Sequence, residues 1–452
     1  MSVARGVPVS LSARGPGEGP PTPPPDVPLT FLAAAGGGLV AAGVAVALAA
    51  DRVVVWPGHP GVLSATHTVM LAFLTVAVLG ALHQFGPAVA GRRLRSVAAA
   101  RVTALVLIPS VAVLAGGFAH GPSWTIRVGG TGVVLGILLA AWNLSGPLAV
   151  RGGGVPIAGL RCAVALLVVT AAFGIVYAFD REHGWFPLLA NRVMAHAHLG
   201  LLGWMGLTYV VIAEKLWPTF LVAERRHRRS DDVAVAGVAM GAPVLSLGLL
   251  FAWPVVATLG GVLTGVGLGA HCVSLVGVIG DRTRGLGLLH AYVISSTAAL
   301  VLGAVLAVVG GLAPLDAADR PTVVAAEIAA LATWLGLAVI GHAHKIVPHI
   351  RWTALFSRGR AQRPDGTPLL FEDLRSGRAE AATYVLCTAG FFAVIVGLLA
   401  SSATTIVGGG LSVAAGGLIA VVNLGTGARR ATGGTHAARP HSTPLSRSGA
   451  AR

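Results

Sequence analysis

Charged residues are scarce in this chain. Asp, Glu, Lys and Arg make up 11% of its 452 residues, whereas 55% are hydrophobic. An ordinary soluble domain carries about a quarter charged residues. A soluble core could not hide this much apolar surface, so the composition excludes a soluble globular protein and indicates a chain whose solvent is the lipid bilayer.

Sulfur-containing residues are also rare, with three cysteines and five methionines. Cys162, Cys272 and Cys387 each stand alone in an apolar run. This spacing excludes a disulfide framework, a CxxC pair and a CxxCH haem-attachment site. The small number of sulfur ligands also gives little support for a soft copper pathway.

Acidic residues are too few to balance the basic ones, and the net charge is +15. A basic protein of this kind invites comparison with nucleic-acid-binding proteins. Its arginines, however, stand in short clusters between apolar runs and form no aromatic-studded face. We interpret them as signals of membrane topology and predict no nucleic-acid partner.

Apolar runs of about twenty residues, long enough to cross about 30 Å of hydrocarbon, recur along the chain. They predict an all-α fold, a polytopic membrane bundle of about 12 transmembrane helices. The transmembrane domain is predicted over 29–424, between a disordered N-terminal tail, 1–28, and a disordered C-terminal tail, 425–452. The predicted spans are 29–50, 61–90, 99–119, 126–149, 157–178, 191–217, 233–253, 255–279, 286–311, 322–347, 381–400 and 402–424.

The arginine clusters give these spans a direction. Basic loops follow the even-numbered spans, and the loops between them are mixed or acidic. Because basic loops stay inside the cell, this alternation predicts a multi-pass protein of the inner (plasma) membrane with both termini in the cytoplasm. The basic loops contain Arg92, Arg93 and Arg95; Arg151; Arg225, Arg226, Arg228 and Arg229; Arg282 and Arg284; and Arg351, Arg358, Arg360 and Arg363.

Histidine is the abundant ionisable residue of the spans. The chain has 15 histidines, most of them in or at the ends of spans. An ionisable group at membrane depth is costly and tends to mark a pathway, a cofactor or a metal site. The predicted direction sorts the histidines by depth into an outer and an inner layer. The outer layer contains His67, His196 and His198, and the inner layer contains His83, His271, His290, His342 and His344.

Two HxH pairs, His196-Ala-His198 and His342-Ala-His344, constrain the geometry of a metal or cofactor site most strongly. Residues two apart on a helix point about 200° apart, so one pair cannot chelate a single metal from a regular helix. Each pair can instead give one imidazole to each of two neighbouring sites, or one to a metal and one to a supporting partner. A bis-histidine haem needs imidazoles from facing helices at equal depth, a condition that His67 meets with His196 or His198.

Two segments resemble the catalytic subunit of haem-copper oxidases and the related NnrS-like twelve-span proteins linked to nitric oxide responses. The stretch His67-Thr-Val-Met-Leu-Ala-Phe resembles that superfamily's second span, whose histidine is an axial ligand of the low-spin haem. The stretch His196-Ala-His-Leu-Gly-Leu-Leu-Gly-Trp resembles its HxH span. The resemblance implies a subunit I-like fold and a low-spin haem role for His67 and for His196 or His198.

The chain departs from the oxidase pattern at the copper site. That pattern has copper ligands on spans 6 and 7, including an adjacent His-His pair, and an HxH near the outer face on span 10. Here span 7 has no histidine, no His-His pair occurs, and the span 10 HxH lies near the inner end. The resemblance therefore does not by itself imply copper binding, oxygen reduction or the family's proton channels, and the plan is closer to the NnrS-like group.

Three functional hypotheses follow. The first is a membrane haem protein, with haem or copper also in the inner layer, which handles electrons from a donor protein or a diatomic gas such as NO or O2, as an oxidoreductase or as a binding protein. In this hypothesis His67, His196, His198, His342 and His344 bind cofactor, and His83, His271 and His290 bind metal. The second is a histidine-lined transporter for a transition metal or protons, and the third is a non-catalytic assembly subunit.

Overall fold

A computed structural model describes residues 21–55, 58–224, 226–316, 319–363 and 366–431. Within these ranges the chain is all-α, with isolated β-bridges only between loop residues. Twelve of the described helices are long and apolar enough to cross a membrane, which confirms the predicted number. They are α1 (Asp26–Leu48), α2 (Pro60–Ala90), α3 (Val97–Ala119), α4 (Ser123–Leu148), α5 (Gly154–His183), α6 (Ala190–Phe220), α7 (Arg229–Leu250), α8 (Pro254–Gly280), α9 (Leu288–Leu312), α10 (Asp319–Phe356), α11 (Gly377–Leu399) and α12 (Ala403–Gly427).

The two least certain divisions in the sequence are tight turns in the structure. Ala252 precedes α8 with φ of 54°, and Pro254 then occupies the first turn of that helix. Ser401 separates α11 from α12 with φ of 49°. A positive φ cannot continue a right-handed helix, so each apolar stretch forms two helices.

Several helix ends differ from the prediction. Helix α1 begins at Asp26, inside the predicted N-terminal tail, and helical structure continues after α12 to Ala431. The rest of the predicted tails, 1–20 and 432–452, lies outside the described residues. The largest difference is in α10, which runs through Pro348 to Phe356. Proline is tolerated within membrane helices because neighbouring groups satisfy the freed carbonyl.

Three helices meet at the centre of the bundle. Most consecutive helices pack against each other, and α1 packs against α12. Helices α2, α6 and α10 also contact one another. Because they are four helices apart in the chain, the bundle has three successive four-helix units that each send one helix inward. All three inward helices carry histidines.

Two of these inward helices contain a π-helical segment where they meet. The segments are Thr68–Thr75 in α2 and Leu199–Gly206 in α6, and each begins directly after a histidine. The indole of Trp204 donates a hydrogen bond to the hydroxyl of Thr75, 3.4 Å away, and so joins the two segments. A π-turn widens the helix locally and is frequent at functional sites.

Glycine allows close contacts between neighbouring helices of the bundle. A Cβ at Gly237 in α7 would lie 2.7 Å from Gly267 Cα in α8. A Cβ at Gly390 in α11 would lie 2.7 Å from Gly409 O in α12. Small residues let the backbones approach each other where lipid supplies no hydrophobic drive between helices.

The loops after the even-numbered helices lie together at one end of the bundle, which we call the basic end. The loops after α6 and α8 pair through the Ala223–Arg282 bridge and the Arg228–Asp281 ion pair. The loop after α10 is tied to α12, where Asn423 Oδ1 accepts a hydrogen bond of 2.7 Å from Ser376 N. We call the other end of the bundle the opposite end.

Candidate cofactor site

The first large cavity lies where the three inward helices meet, and we call it the central cavity. It is lined by α2, α6 and α10, with Leu32 from α1. Its wall is apolar except for Thr208, Tyr209 and His342. A mostly apolar lining with a few polar groups is typical of a small-molecule or cofactor site.

The second cavity lies beside the first, between α1, α2, α10 and α12, and we call it the lateral cavity. His344 and Arg351 are the polar side chains in its lining. Helix α10 therefore supplies one histidine to each cavity.

The two cavities share a wall. Leu32, Ala77, Val339 and Ala343 line both of them. Ala343 stands between the two histidines, whose side chains diverge by about 200° on the helix. The α10 HxH pair thus gives one imidazole to each of two neighbouring cavities, which is the first of the two arrangements that its spacing allows.

Both imidazoles are buried and held in one orientation. His342 and His344 are 4% and 1% exposed. The Nδ1–H of His342 donates to Ala338 O at 2.7 Å, and that of His344 donates to Ile340 O at 2.9 Å. Neither Nε2 has a hydrogen-bond partner. A carbonyl on Nδ1 leaves the lone pair on Nε2, as in histidines that ligate a metal or a haem iron.

Tyr209 of α6 lies next to His342 at the centre of a buried aromatic group. Its ring is edge-on to those of His342, His271, Trp217 and Trp334, with centroid distances of 5.9, 5.6, 6.1 and 5.8 Å. The Tyr209 hydroxyl, both indole N–H groups and His271 Nε2 lack hydrogen-bond partners among the described residues. Buried unpaired polar atoms are rare and call for a bound water or ligand.

Sequence reasoning missed Tyr209 and Trp334. Both lie in uninterrupted apolar runs, where a buried aromatic residue is ordinarily part of the core. The available signal was chemical: a phenol hydroxyl and an indole N–H need partners within a membrane span.

A smaller polar pocket opens from the basic end toward His271. Its lining also includes Glu214, Arg228 and Asp231. Glu214 Oε1 is buried without a hydrogen-bond partner. The pocket therefore brings a carboxyl group and an imidazole together near the central cavity, and Trp217 lines it beside them.

The histidines of the predicted outer layer, His67, His196 and His198, have different surroundings from those of the α10 pair. His198 Nε2 is 3.0 Å from Glu327 Oε1 in α10, and the two side chains are 10% and 8% exposed. His67 stacks on Phe118 at 4.8 Å. None of the three histidines lines the central or the lateral cavity. Haem ligation by this layer stays a prediction.

The three predicted metal ligands lie in three different surroundings. His83 stacks on Phe31 at 5.1 Å, with its Nε2 unpartnered, and lines neither large cavity. His271 lies in the Tyr209 group. His290 Nδ1 accepts a hydrogen bond of 2.9 Å from Gly287 N at the start of α9, which places its proton on Nε2. Among the described residues no group of three or more His, Cys, Asp or Glu could hold a metal ion.

No family model matches the chain, and no curated protein matches it.

Proposed function

We propose that this chain is an integral membrane haem protein that binds haem in the central and lateral cavities. The observation that carries the proposal is the α10 pair. His342 lines the central cavity and His344 lines the lateral cavity, and the Nε2 of each is buried without a hydrogen-bond partner. Each would be the protein ligand of one haem iron.

The chemistry of the two cavities supports haem better than a hydrated ion. The linings of both cavities are almost wholly apolar, as in small-molecule sites. A bare metal ion would need several ligating side chains. A planar macrocycle needs one axial ligand and apolar walls, which both cavities provide.

Each cavity supplies one histidine, so one axial position of each iron would stay open. A haem with an open position binds a diatomic gas and exchanges one electron. Tyr209, in the wall of the central cavity, would place a hydroxyl donor beside His342's ligand site. We therefore propose NO or O2 as the ligand and an electron donor protein as the partner, with oxidoreductase activity as a further possibility for the central site.

The proposed location is the plasma membrane, with the basic end and both termini in the cytoplasm. A reporter enzyme that is active on one side only, fused to either terminus, tests this orientation. Activity outside the cell from either fusion would contradict it.

An absorption spectrum of the detergent-purified protein tests the proposed function. We expect a Soret band and α bands in the reduced-minus-oxidised spectrum. His342→Ala and His344→Ala should each remove about half of the haem, because each deletes one axial ligand. His120→Ala, at an exposed helix end, is the matched control and should keep all of it. No haem in protein from a haem-replete host would refute the proposal.

The polar pocket supports a second candidate, a proton or metal-ion transporter. Glu214 and His271 meet there with unpartnered buried atoms, which suits a proton relay. Proteoliposomes with an internal pH dye would report proton flux, and Glu214→Gln should abolish it. Absence of both flux and haem would leave the assembly subunit as the remaining hypothesis.

A further inference from the structure

The three inward helices line the central cavity with equivalent positions. Each has a proline near the basic end: Pro87 in α2, Pro218 in α6 and Pro348 in α10. When the helices are aligned on these prolines, the cavity-lining residues fall at the same five positions in all three. From the opposite end to the basic end, the triads are Leu74, Met205 and Leu335; Ala77, Thr208 and Ala338; Val78, Tyr209 and Val339; Ala81, Ile212 and His342; and Phe85, Leu216 and Ile346. The central cavity therefore lies along the axis that the three helices surround.

Packed side chains close this axis toward the opposite end. Leu74, Met205 and Leu335, the triad on that side of the cavity, are 0%, 3% and 3% exposed. Beside them, the hydrogen bond from Trp204 to Thr75 joins α6 to α2. A molecule in the central cavity is thus separated from the opposite end by a layer with almost no exposed surface.

The axis reaches exposed surface at the basic end. The residue three positions after the last triad is exposed in every inward helix: Ala88, Thr219 and His349. Residues three apart share a helix face, so these side chains continue the cavity lining by about one turn. Helix α10 runs on to Phe356, whereas α2 and α6 end within three residues of their prolines. We call the exposed space rimmed by Ala88, Thr219 and His349 the vestibule.

A single apolar layer separates the vestibule from the central cavity. It is the last triad, Phe85, Leu216 and Ile346, which we call the apolar gate. Phe85 and Leu216 are half-buried, and Ile346 is 5% exposed. An apolar constriction opposes the passage of ions, because an ion would lose its hydration there without compensation. A small uncharged molecule does not meet this barrier.

We propose that small uncharged molecules enter the central cavity from the basic end through the apolar gate, which excludes ions. His342 stands four residues before Ile346, roughly 6 Å further into the bundle. It is therefore the first polar side chain of the lining that an entering molecule meets. The diatomic gases of the proposed function belong to this chemical class, but the route rests on the lining and the exposed rim alone and can be tested without haem.

Cysteine labelling in membrane vesicles tests the route in the full-length protein, made without haem supply. Cys162, Cys272 and Cys387 are first replaced by alanine, and Ile212→Cys then places a reporter in the central cavity. We expect methyl methanethiosulfonate, which is small and uncharged, to label this reporter. Its charged sulfonatoethyl analogue, which does not cross membranes, should leave it unlabelled. Thr219→Cys, in the vestibule, should react with both reagents, and the side from which the charged reagent reaches it identifies the basic end.

Two gate variants decide whether the route passes the apolar gate. Phe85→Ala widens the gate and should let the charged reagent reach the Ile212→Cys reporter from the basic end only. Leu216→Trp narrows it and should slow labelling by the uncharged reagent by about tenfold or more, because a tighter apolar constriction raises the barrier to passage. Charged labelling from the opposite end, or an unchanged rate in Leu216→Trp, would overturn the proposed route.

Two further cysteine positions complete the test. Val210→Cys lies on the same helix, is 0% exposed as valine and lines neither large cavity, so it should stay unlabelled if the bundle is folded. Ala81→Cys is a second reporter in the central cavity, for the case in which Ile212→Cys does not fold. Failure of the route would leave the haem proposal standing, and absence of haem from the purified protein would leave the route standing.

Discussion

The two HxH pairs have the same sequence pattern and different surroundings. On α10, His342 and His344 face cavities and keep a free Nε2. On α6, His198 gives its Nε2 to Glu327, and His196 packs edge-on against Tyr177 at 5.9 Å. The comparison shows that the groups around a membrane histidine decide whether it is a ligand candidate. A carboxylate on a neighbouring helix occupies the same ring nitrogen that an iron would need.

The largest effect is expected from removing the α10 histidines, compared with removing histidines of the predicted outer layer. The double variant His342→Ala/His344→Ala should lose essentially all bound haem, since both proposed ligands are gone. The double variant His67→Ala/His196→Ala should keep it. The haem-to-protein ratio of the purified proteins measures both. Haem loss confined to the second variant would favour the bis-histidine site at the opposite end and reverse the comparison.

Glu327 tests the stabilising role assigned to the opposite end. Glu327→Ala leaves a buried imidazole without its partner, which should lower the free energy of unfolding by about 3 kcal/mol. Denaturation in mixed micelles measures the loss, and Glu224→Gln, an exposed carboxylate, serves as the control. A double-mutant cycle with His198→Ala should recover a coupling of about 1.5 to 3 kcal/mol. Simple additivity would show that the pair contributes no stability.

A substitution in the wall that the two cavities share should have a smaller effect on haem binding, and the effect should appear in both cavities. Ala343→Leu adds bulk between them, and overpacking typically costs about 1–3 kcal/mol. We expect weaker haem binding in both cavities, seen as a parallel loss in titrations of the His342→Ala and His344→Ala backgrounds. Ala304→Leu adds the same bulk on an exposed face of α9 and should leave binding unchanged. An effect in one cavity alone would show that the wall is not shared.

His83 should give the smallest effect of the set. It resembles His342 in its burial, its Nδ1 hydrogen bond to Leu79 O and its free Nε2, but it lines neither large cavity. His83→Ala is therefore expected to leave the haem content unchanged, as judged by the intensity of the Soret band. A clear loss would identify His83 as a ligand and show that access to a cavity is not the deciding property.

Much of the fold could be predicted because it depends on local chemistry. Hydropathy and loop charge fix the number of helices, and the depth of His67 or His342 then follows from counting residues along a helix. The extension of α10 past Pro348 could not be predicted, because its stability comes from neighbours such as Leu369 and Leu424, which are distant in the sequence.

The candidate site was predicted only in outline. The divergence of the HxH imidazoles follows from helix geometry alone and applies equally to both pairs. Which pair faces cavities depends on helices α1, α2 and α12, whose positions the spacing does not encode. Glu327 stands 129 residues from His198, so their contact was equally hidden.

The position of Ala343 between the two cavities links ligand binding in one cavity to ligand binding in the other. The wall that Ala343 forms with Leu32, Ala77 and Val339 cannot adapt to an occupant on one side without changing the space on the other, since packed interiors transmit strain. If a ligand in one cavity restricts the motion of this part of α10, a ligand in the other cavity binds to a helix whose conformational entropy is already reduced. The two occupancies are then linked, and by reciprocity each must change the affinity of the other by the same factor.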